Sequence, residues 1–291
     1  MYYDKTKISN GVKIILPDKK YLGLCFGIKR AVEKCLSLEG DKFVIYGQLA
    51  HNATLCNKLK KQGITIIDDL MEAKRGKVII CPHGIAKKDK EFLEKRGIPF
   101  LDLTCSFVKN LLSRALEFEK NSYQVIVIGD KNHVEIKNIC SFLQKPLVVG
   151  KRSEVRKINS DKKIAVLTQT TQTLRKINEL LPLIKRRCKE IVFISTRCNE
   201  TDERQKAVKK LSEKTDLVLV VGDKMSKNAN NLVKVAQEKT RAKLVSSTKG
   251  LIKIFKNLHY ISNLKVGIIA SASAPAFVVN DIIKCLKEKT F

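Results

Sequence analysis

Short apolar runs rich in β-branched residues alternate along the chain with longer segments whose apolar positions recur every three or four residues. The apolar runs at 12–16, 43–46, 65–67, 77–81, 100–102, 124–128, 146–149, 164–168, 190–194, 217–221, 242–245 and 266–270 are predicted as strands. Most are bounded by polar turns, and several are apolar throughout, as strands buried on both faces are. Amphipathic helices are predicted between them at 28–39, 106–121, 174–181, 202–215, 230–239 and 276–287. Strands alternating with helices imply parallel sheets with right-handed crossovers. Ligands of such sheets gather beyond the carboxyl ends of the strands.

The pattern repeats. Gln124-Val-Ile-Val-Ile-Gly-Asp-Lys131 is answered by Leu217-Val-Leu-Val-Val-Gly-Asp-Lys224, with Gly129 and Gly222 standing 93 positions apart. Cys105 and Cys198 are separated by the same 93 positions. A more drifted first copy has Gly47 22 residues after Cys25, against 24 for the glycine after the cysteine in the other two copies. His51 and His133 each lie four residues beyond their glycine. Three copies closing around a pseudo-threefold axis bring equivalent residues together there. The expected fold is therefore an α/β trefoil of three pseudo-threefold-related domains, 12–104, 105–197 and 198–291, after an N-terminal extension at 1–11. Cys25, Cys105 and Cys198 are the candidate metal ligands, since three thiolates on such an axis suit a cubane iron–sulfur cluster with one open iron.

Composition narrows the alternatives. At 291 residues and 44% hydrophobic content the chain can bury more than one core. No apolar run approaches a membrane span, and the polar start lacks the apolar stretch of a signal peptide, so a soluble, cytoplasmic protein is expected. Nine cysteines form an odd set with no disulfide framework. Cys35, Cys56, Cys81, Cys140, Cys188 and Cys285 sit in apolar or helical stretches and read as small buried hydrophobes. No local Cys-x2–4-Cys pair points to structural zinc. The net charge of +28 invites a nucleic-acid reading, but 45 of the 57 basic residues are Lys, aromatics are 6% and Trp is absent. Sequence-reading nucleic-acid proteins lean on Arg and on aromatic platforms. A solvated Lys-rich surface that steers anions is the simpler expectation. A basic nucleic-acid-binding protein with a structural cluster is the alternative.

The strand ends carry the unusual residues: Gly47-Gln-Leu-Ala-His51-Asn52, Pro82-His83-Gly84, Gly129-Asp-Lys-Asn-His133-Val-Glu135, Thr168-Gln-Thr170-Thr171, Gly222-Asp-Lys-Met-Ser226-Lys-Asn228 and Ser271-Ala-Ser273-Ala-Pro275. Three of the four histidines lie in these loops; His259 does not and is expected to be structural. Short hydroxyl, amide and imidazole groups before helix N-termini make an anion pocket. Ser226, Asn228 and Ser273 also read as ordinary helix N-caps, and both roles can coexist. Glu135 is a carboxylate among these groups that burial would make a proton donor.

These motifs resemble those of the IspH/LytB family of 4-hydroxy-3-methylbut-2-enyl diphosphate reductases. Gly23-Leu-Cys25-Phe-Gly27, the Ala50-His51-Asn52 loop and Pro82-His83-Gly84 carry the first third of the resemblance. Asp102-Leu-Thr-Cys105, His133-Val-Glu135 and Thr168-Gln-Thr-Thr171 carry the second. Cys198, Arg204-Gln205, Ser226-Lys-Asn228 and Ala272-Ser-Ala-Pro275 carry the third, and the match spans roughly residues 12 to 287. The resemblance implies a [4Fe–4S] cluster on Cys25, Cys105 and Cys198 with one open iron. It also implies an allylic diphosphate substrate, an electron donor such as ferredoxin or flavodoxin, and a monomer that uses neither membrane nor nucleic acid. It makes Glu135 the proton donor, with Thr170 and His133 beside it as catalytic residues. It assigns the diphosphate to His51, His83, His133, Thr170, Ser226, Asn228 and Ser273. The sequence departs from the family at Val134, where Pro is usual, at Lys227 inside a Ser-Ser-Asn run, at Ser271 in place of Gly and at Leu24 in place of Phe.

Overall fold

The computed structural model describes residues 12–38, 42–50, 52–73, 76–159, 161–256 and 263–288. In chain order these form β1 (Val12–Ile15), α1 (Phe26–Leu36), β2 (Phe43–Tyr46), α2 (Ala53–Lys61), β3 (Thr65–Ile67), β4 (Lys77–Ile80), α3 (Lys87–Lys95), β5 (Phe100–Asp102) and α4 (Ser106–Lys120). There follow β6 (Gln124–Ile128), α5 (Val134–Cys140), β7 (Leu147–Val149), β8 (Ile164–Thr168), α6 (Leu174–Arg187), β9 (Ile191–Phe193), α7 (Glu200–Ser212) and β10 (Leu217–Val221). The chain continues through α8 (Lys227–Gln237), β11 (Arg241–Val245), α9 (Thr248–Lys256), β12 (Leu264–Ala270) and α10 (Ala276–Glu288).

The strands form three four-stranded sheets of one topology, β3-β2-β4-β5, β7-β6-β8-β9 and β11-β10-β12-β1, parallel throughout. The third is a circular permutation of the other two: its fourth strand comes from the start of the chain, with Val12 opposite Leu264 and Ile15 opposite Gly267. Residues 12–16, assigned from sequence order to a 12–104 domain, thus complete the third sheet instead. Pairing at the edge beside β12 satisfies backbone groups of β1. The α/β class with three repeated parallel-sheet domains is the observed one.

By compactness the described residues fall into two units. One comprises those up to Val32, from Ala50 to Gln62 and from Asn199 on; the other comprises those from Glu33 to Leu49 and from Gly63 to Cys198. The first unit contains the β10–β12 sheet. Leu217, Leu219 and Val221 of β10 pack to one side with Val279 and Ile282 of α10. Val218 and Val220 pack to the other with Leu211 of α7 and Leu232 of α8. The second unit repeats this arrangement around β6 and β8. Ile126 and Val166 meet Ile177, Leu180 and Ile184 of α6 on one face, and Val125, Val127 and Leu167 meet Leu111 of α4 and Ile136 of α5 on the other. Alternate residues of one strand therefore serve opposite faces, which is why these central strands read as unbroken apolar runs. Among the described residues no helix is long and apolar enough to cross a membrane.

Candidate active site

The three cysteines named from the repeat occupy one station of it. Each follows the fourth strand of a sheet and opens the helix leading to the next: Cys25 after β1 and before α1, Cys105 after β5 and before α4, Cys198 after β9 and just before α7. The backbone shows the equivalence bond for bond. The Cys25 amide donates to Ala272 O at 2.9 Å, that of Cys105 to Pro82 O at 3.0 Å, and that of Cys198 to Thr170 O at 2.8 Å. Ala272, Pro82 and Thr170 are each the second residue beyond a third strand, β12, β4 or β8. All three are half-buried and stand at or just before a helix N-terminus. The other cysteines differ. Burial pushes the Cys35 thiol up to about 12 and that of Cys140 to about 11, and raises those of Cys56 and Cys188. Cys81 and Cys285 are buried in the packing. Among the described residues no three His, Cys, Asp or Glu groups gather tightly enough to share one metal ion. A cubane makes a wider demand, because each cysteine binds a different iron.

In the second unit a chain of ring contacts and hydrogen bonds runs between the Cys105 and Cys198 stations. His83 follows Pro82, and its ring meets that of His133 edge-on at 5.8 Å. Gly84, next in line, has φ +79°, a left-handed conformation open to glycine at little cost, and lies against Thr104. His133 is the N-cap of α5, its Nδ1 accepting from the Glu135 amide at 3.3 Å. That bond places the neutral ring's proton on Nε2, which becomes a donor. Glu135 lies in the first turn of α5, not in a loop, and is 1% exposed. Its Oε1 accepts from the Thr170 amide at 2.8 Å and its Oε2 from Thr170 Oγ1 at 2.6 Å. Burial raises its pKa above the usual carboxylate value, and the two Thr170 bonds only partly oppose the rise. Thr170 in turn gives its carbonyl to Cys198.

In the first unit the loops after β10 and β12 bring three serines together. Ser226 caps α8 by accepting from the Ala229 amide at 3.3 Å, and also accepts from Ser273 Oγ at 3.3 Å. Ser271 Oγ is 3.4 Å from Ser273 Oγ. Asn228 is no cap. Its Oδ1 accepts from the Ala272 amide at 3.0 Å, leaving the Nδ2 protons directed elsewhere. With both its acceptor bonds made, Ser226 keeps its own proton to donate, and the N-terminus of α8 adds backbone N–H groups. Gly222 makes room for this cluster: a Cβ there would sit 2.7 Å from both Ser271 Oγ and Ala229 Cβ.

His51, the remaining diphosphate candidate, and His259 lie outside the described residues. The sequence reading missed the supports of the site. Asn138, three residues after Glu135 on α5, donates through Nδ2 to His83 O at 3.2 Å and Gly84 O at 2.9 Å. Its i+3 spacing from Glu135 was the available signal. Buried Thr168 and Thr196 exchange backbone and hydroxyl bonds at 3.0 Å and tie β8 to the segment leading to Cys198. Exposed apolar side chains stand next to the candidates in sequence: Phe26 (67% exposed), Phe107, Val134 and Met225.

Fold and residues together define a threefold-repeated parallel α/β protein with one equivalently placed cysteine per repeat and a buried carboxyl in the second. The LytB protein family profile matches residues 16–287. A 4-hydroxy-3-methylbut-2-enyl diphosphate reductase of Dictyoglomus thermophilum is 35% identical over 269 residues, covering 91% of this chain and 93% of its own. The solved structure of (E)-4-hydroxy-3-methyl-but-2-enyl diphosphate reductase, the terminal enzyme of the non-mevalonate pathway, superposes with TM-score 0.75 at 29% identity, covering 96% of this chain and 99% of its own. That of the E-1-hydroxy-2-methyl-but-2-enyl-4-diphosphate reductase from Plasmodium falciparum gives TM-score 0.82 at 29% identity, over 97% and 90%. The chain belongs to the LytB family.

Proposed function

We propose that this protein is the reductase that removes the allylic hydroxyl of (E)-4-hydroxy-3-methylbut-2-enyl diphosphate. Substrate, two electrons and two protons give isopentenyl or dimethylallyl diphosphate and water, the last step of the non-mevalonate isoprenoid route. The observation that carries this reading is the threefold-equivalent bond from the Cys25, Cys105 and Cys198 amides to carbonyls beyond each third strand, one of which belongs to the partner of buried Glu135. An iron–sulfur cluster is the cofactor that such a donor set fits. Cys25, Cys105 and Cys198 would hold it as [4Fe–4S], and when bound it supplies low-potential electrons and one open, Lewis-acidic iron.

The chain's own residues do the rest. The ionised carboxylate accepts from the Thr170 amide at Oε1 and from Thr170 Oγ1 at Oε2; protonating Oε2 turns the second, 2.6 Å bond round, so that Oε2–H donates to Thr170 Oγ1. A carboxyl kept neutral by burial can deliver that proton to the departing oxygen, sparing the release of hydroxide. The Thr170 hydroxyl is placed to pass it on. His133 donates from Nε2 to the diphosphate, with His83 beside it and His51 assigned to the same role. Ser226 and the Asn228 amide are assigned to the same role, with Ser273 donating to Ser226. The +28 net charge draws both the anionic substrate and an acidic electron donor of the ferredoxin or flavodoxin class. We assign the protein to the cytoplasm, as a monomer.

The test is turnover by anaerobically purified protein with a low-potential chemical reductant, measured for the wild type and Glu135→Gln. Gln keeps size and most hydrogen bonding but no titrating proton. The expected result is product from the wild type and a fall of roughly 10² or more in the variant, with iron content unchanged. An iron-loaded wild type without turnover overturns the reaction; near-normal turnover in the variant overturns the proton donor.

A further inference from the structure

Arg204 is the largest fully buried side chain among the described residues, and nothing in the proposed reaction uses it. It lies on α7, one turn beyond Glu200. Its Nε donates to Glu200 Oε1 at 2.7 Å, Nη1 to Ala270 O at 2.7 Å and Tyr21 O at 3.4 Å, and Nη2 to Gly23 O at 2.9 Å and Lys20 O at 3.4 Å. The guanidinium also lies over the Tyr21 ring at 5.8 Å, and Tyr21 Oη donates to Glu203 Oε2 at 3.2 Å. An arginine taken out of water is destabilising unless its donors are met, and an apolar side chain of similar volume would fill the same space more cheaply. What an apolar side chain cannot do is meet four backbone carbonyls at once.

Those carbonyls belong to two segments of the first unit, one leading to Cys25 and one to Ser271–Ser273. Lys20, Tyr21 and Gly23 lead directly into Cys25. Ala270 ends β12 and leads directly into Ser271, Ala272 and Ser273. The two segments also meet in front of Arg204, where the Cys25 amide donates to Ala272 O and Ala272 N donates to Asn228 Oδ1. Both segments are thus fixed on one side by their own backbone bond and on the other by one planar guanidinium. Lysine has a single ammonium with no fork and cannot reproduce this geometry.

We propose that Arg204 is a positioning residue that locks the Cys25 loop against the Ser271–Ser273 loop, so that cysteine ligand and diphosphate donors are set together. This rests on the function proposed above. It differs from a merely structural role in that both iron retention and anion affinity depend on the one side chain.

The test uses the full chain purified anaerobically, with Arg204→Met and Glu200→Gln. Three quantities are read: thermal midpoint, rate of iron loss to a chelator, and affinity for inorganic diphosphate by calorimetry. For Arg204→Met, iron loss should quicken and diphosphate affinity fall, each by roughly tenfold, the low end of the 10–100-fold scale for outer-sphere supports. Added guanidinium should partly restore both. Glu200→Gln, which keeps the arginine but weakens its Nε anchor, should move both in the same direction by less. If Arg204→Met does not fold, Glu200→Gln carries the test, because Glu200 is partly exposed. A lowered thermal midpoint with iron retention and diphosphate affinity both at wild-type values would make Arg204 structural only and overturn the proposal. A wild type that neither holds iron nor binds diphosphate would overturn the functional reading instead, so the two failures are distinguishable.

Discussion

Glu135 is the residue on which protonation and folding meet. Burial penalises its ionised form, so the folded protein holds this proton more tightly than the unfolded chain does. Its contribution to stability is therefore greatest at acid pH. It declines as pH rises through the unfolded value of about 4.3 toward the raised folded value, and stays low above that. Glu135→Gln removes the decline. Melts from pH 4 to pH 7 should show the variant gaining on the wild type as pH rises; a constant difference would mean that folding leaves the proton affinity of Glu135 unchanged. Val134 stands at the first position of α5, where no helical partner for its amide is needed and where proline is favoured. Val134→Pro should stabilise by about 0.4–1 kcal/mol through the unfolded chain, read as a raised melting midpoint with turnover retained. Glu135 and the cysteines were legible in the sequence because their types are chemically rare at strand ends. Arg204 was not: inside Asp202-Glu-Arg-Gln-Lys206 it looks like any solvated helix face, and only the packing of α7 shows that it points inward.

Among the elements, α5 does several jobs in two turns. It carries Glu135, is capped by His133, holds the His83–Gly84 turn through Asn138, and caps the Lys87 amide through Ser141 Oγ at 2.8 Å. Asn138→Ala should cost roughly 1–2 kcal/mol for two lost bonds. It should also weaken substrate binding by freeing His83, so KM should rise more than kcat falls. Equal loss of stability with unchanged KM would mean that His83 is held by other contacts. Helix α5 was not legible as a helix, nor were α2, α3 and α9, because seven to nine residues give too few turns for periodicity to show. The twelve strands among the described residues were all predicted, since β-branched apolar runs between polar turns signal themselves locally. α6 runs past Leu181 and through Pro182 to Arg187 because Ile184 continues the buried stripe of Ile177 and Leu180, and that packing outweighs one missing backbone bond.

At the scale of the whole molecule, the threefold repeat was visible in the cysteine and glycine spacings, but the permutation was not. Parallel pairing of β1 with β12 joins opposite ends of the chain, and no local pattern names so distant a partner. Charge acts at this scale too. With a net charge of +28, turnover at saturating substrate supported by an acidic protein donor should fall steeply as salt rises from about 0.05 to 0.5 M, while saturated turnover with a small neutral reductant should change little. Equal salt dependence would show that charge steering has no part in electron delivery.

Three equivalent cysteines holding one cluster underlie the proposed chemistry, and iron and sulfide analysis of single Cys→Ser variants checks their role. Cys25→Ser, Cys105→Ser and Cys198→Ser, purified anaerobically, should each lose most of their iron and sulfide together. Cys140→Ser, whose thiol burial holds up to about 11, should keep the wild-type content. Full iron and sulfide in any of the first three, or their loss in Cys140→Ser, would contradict the assignment.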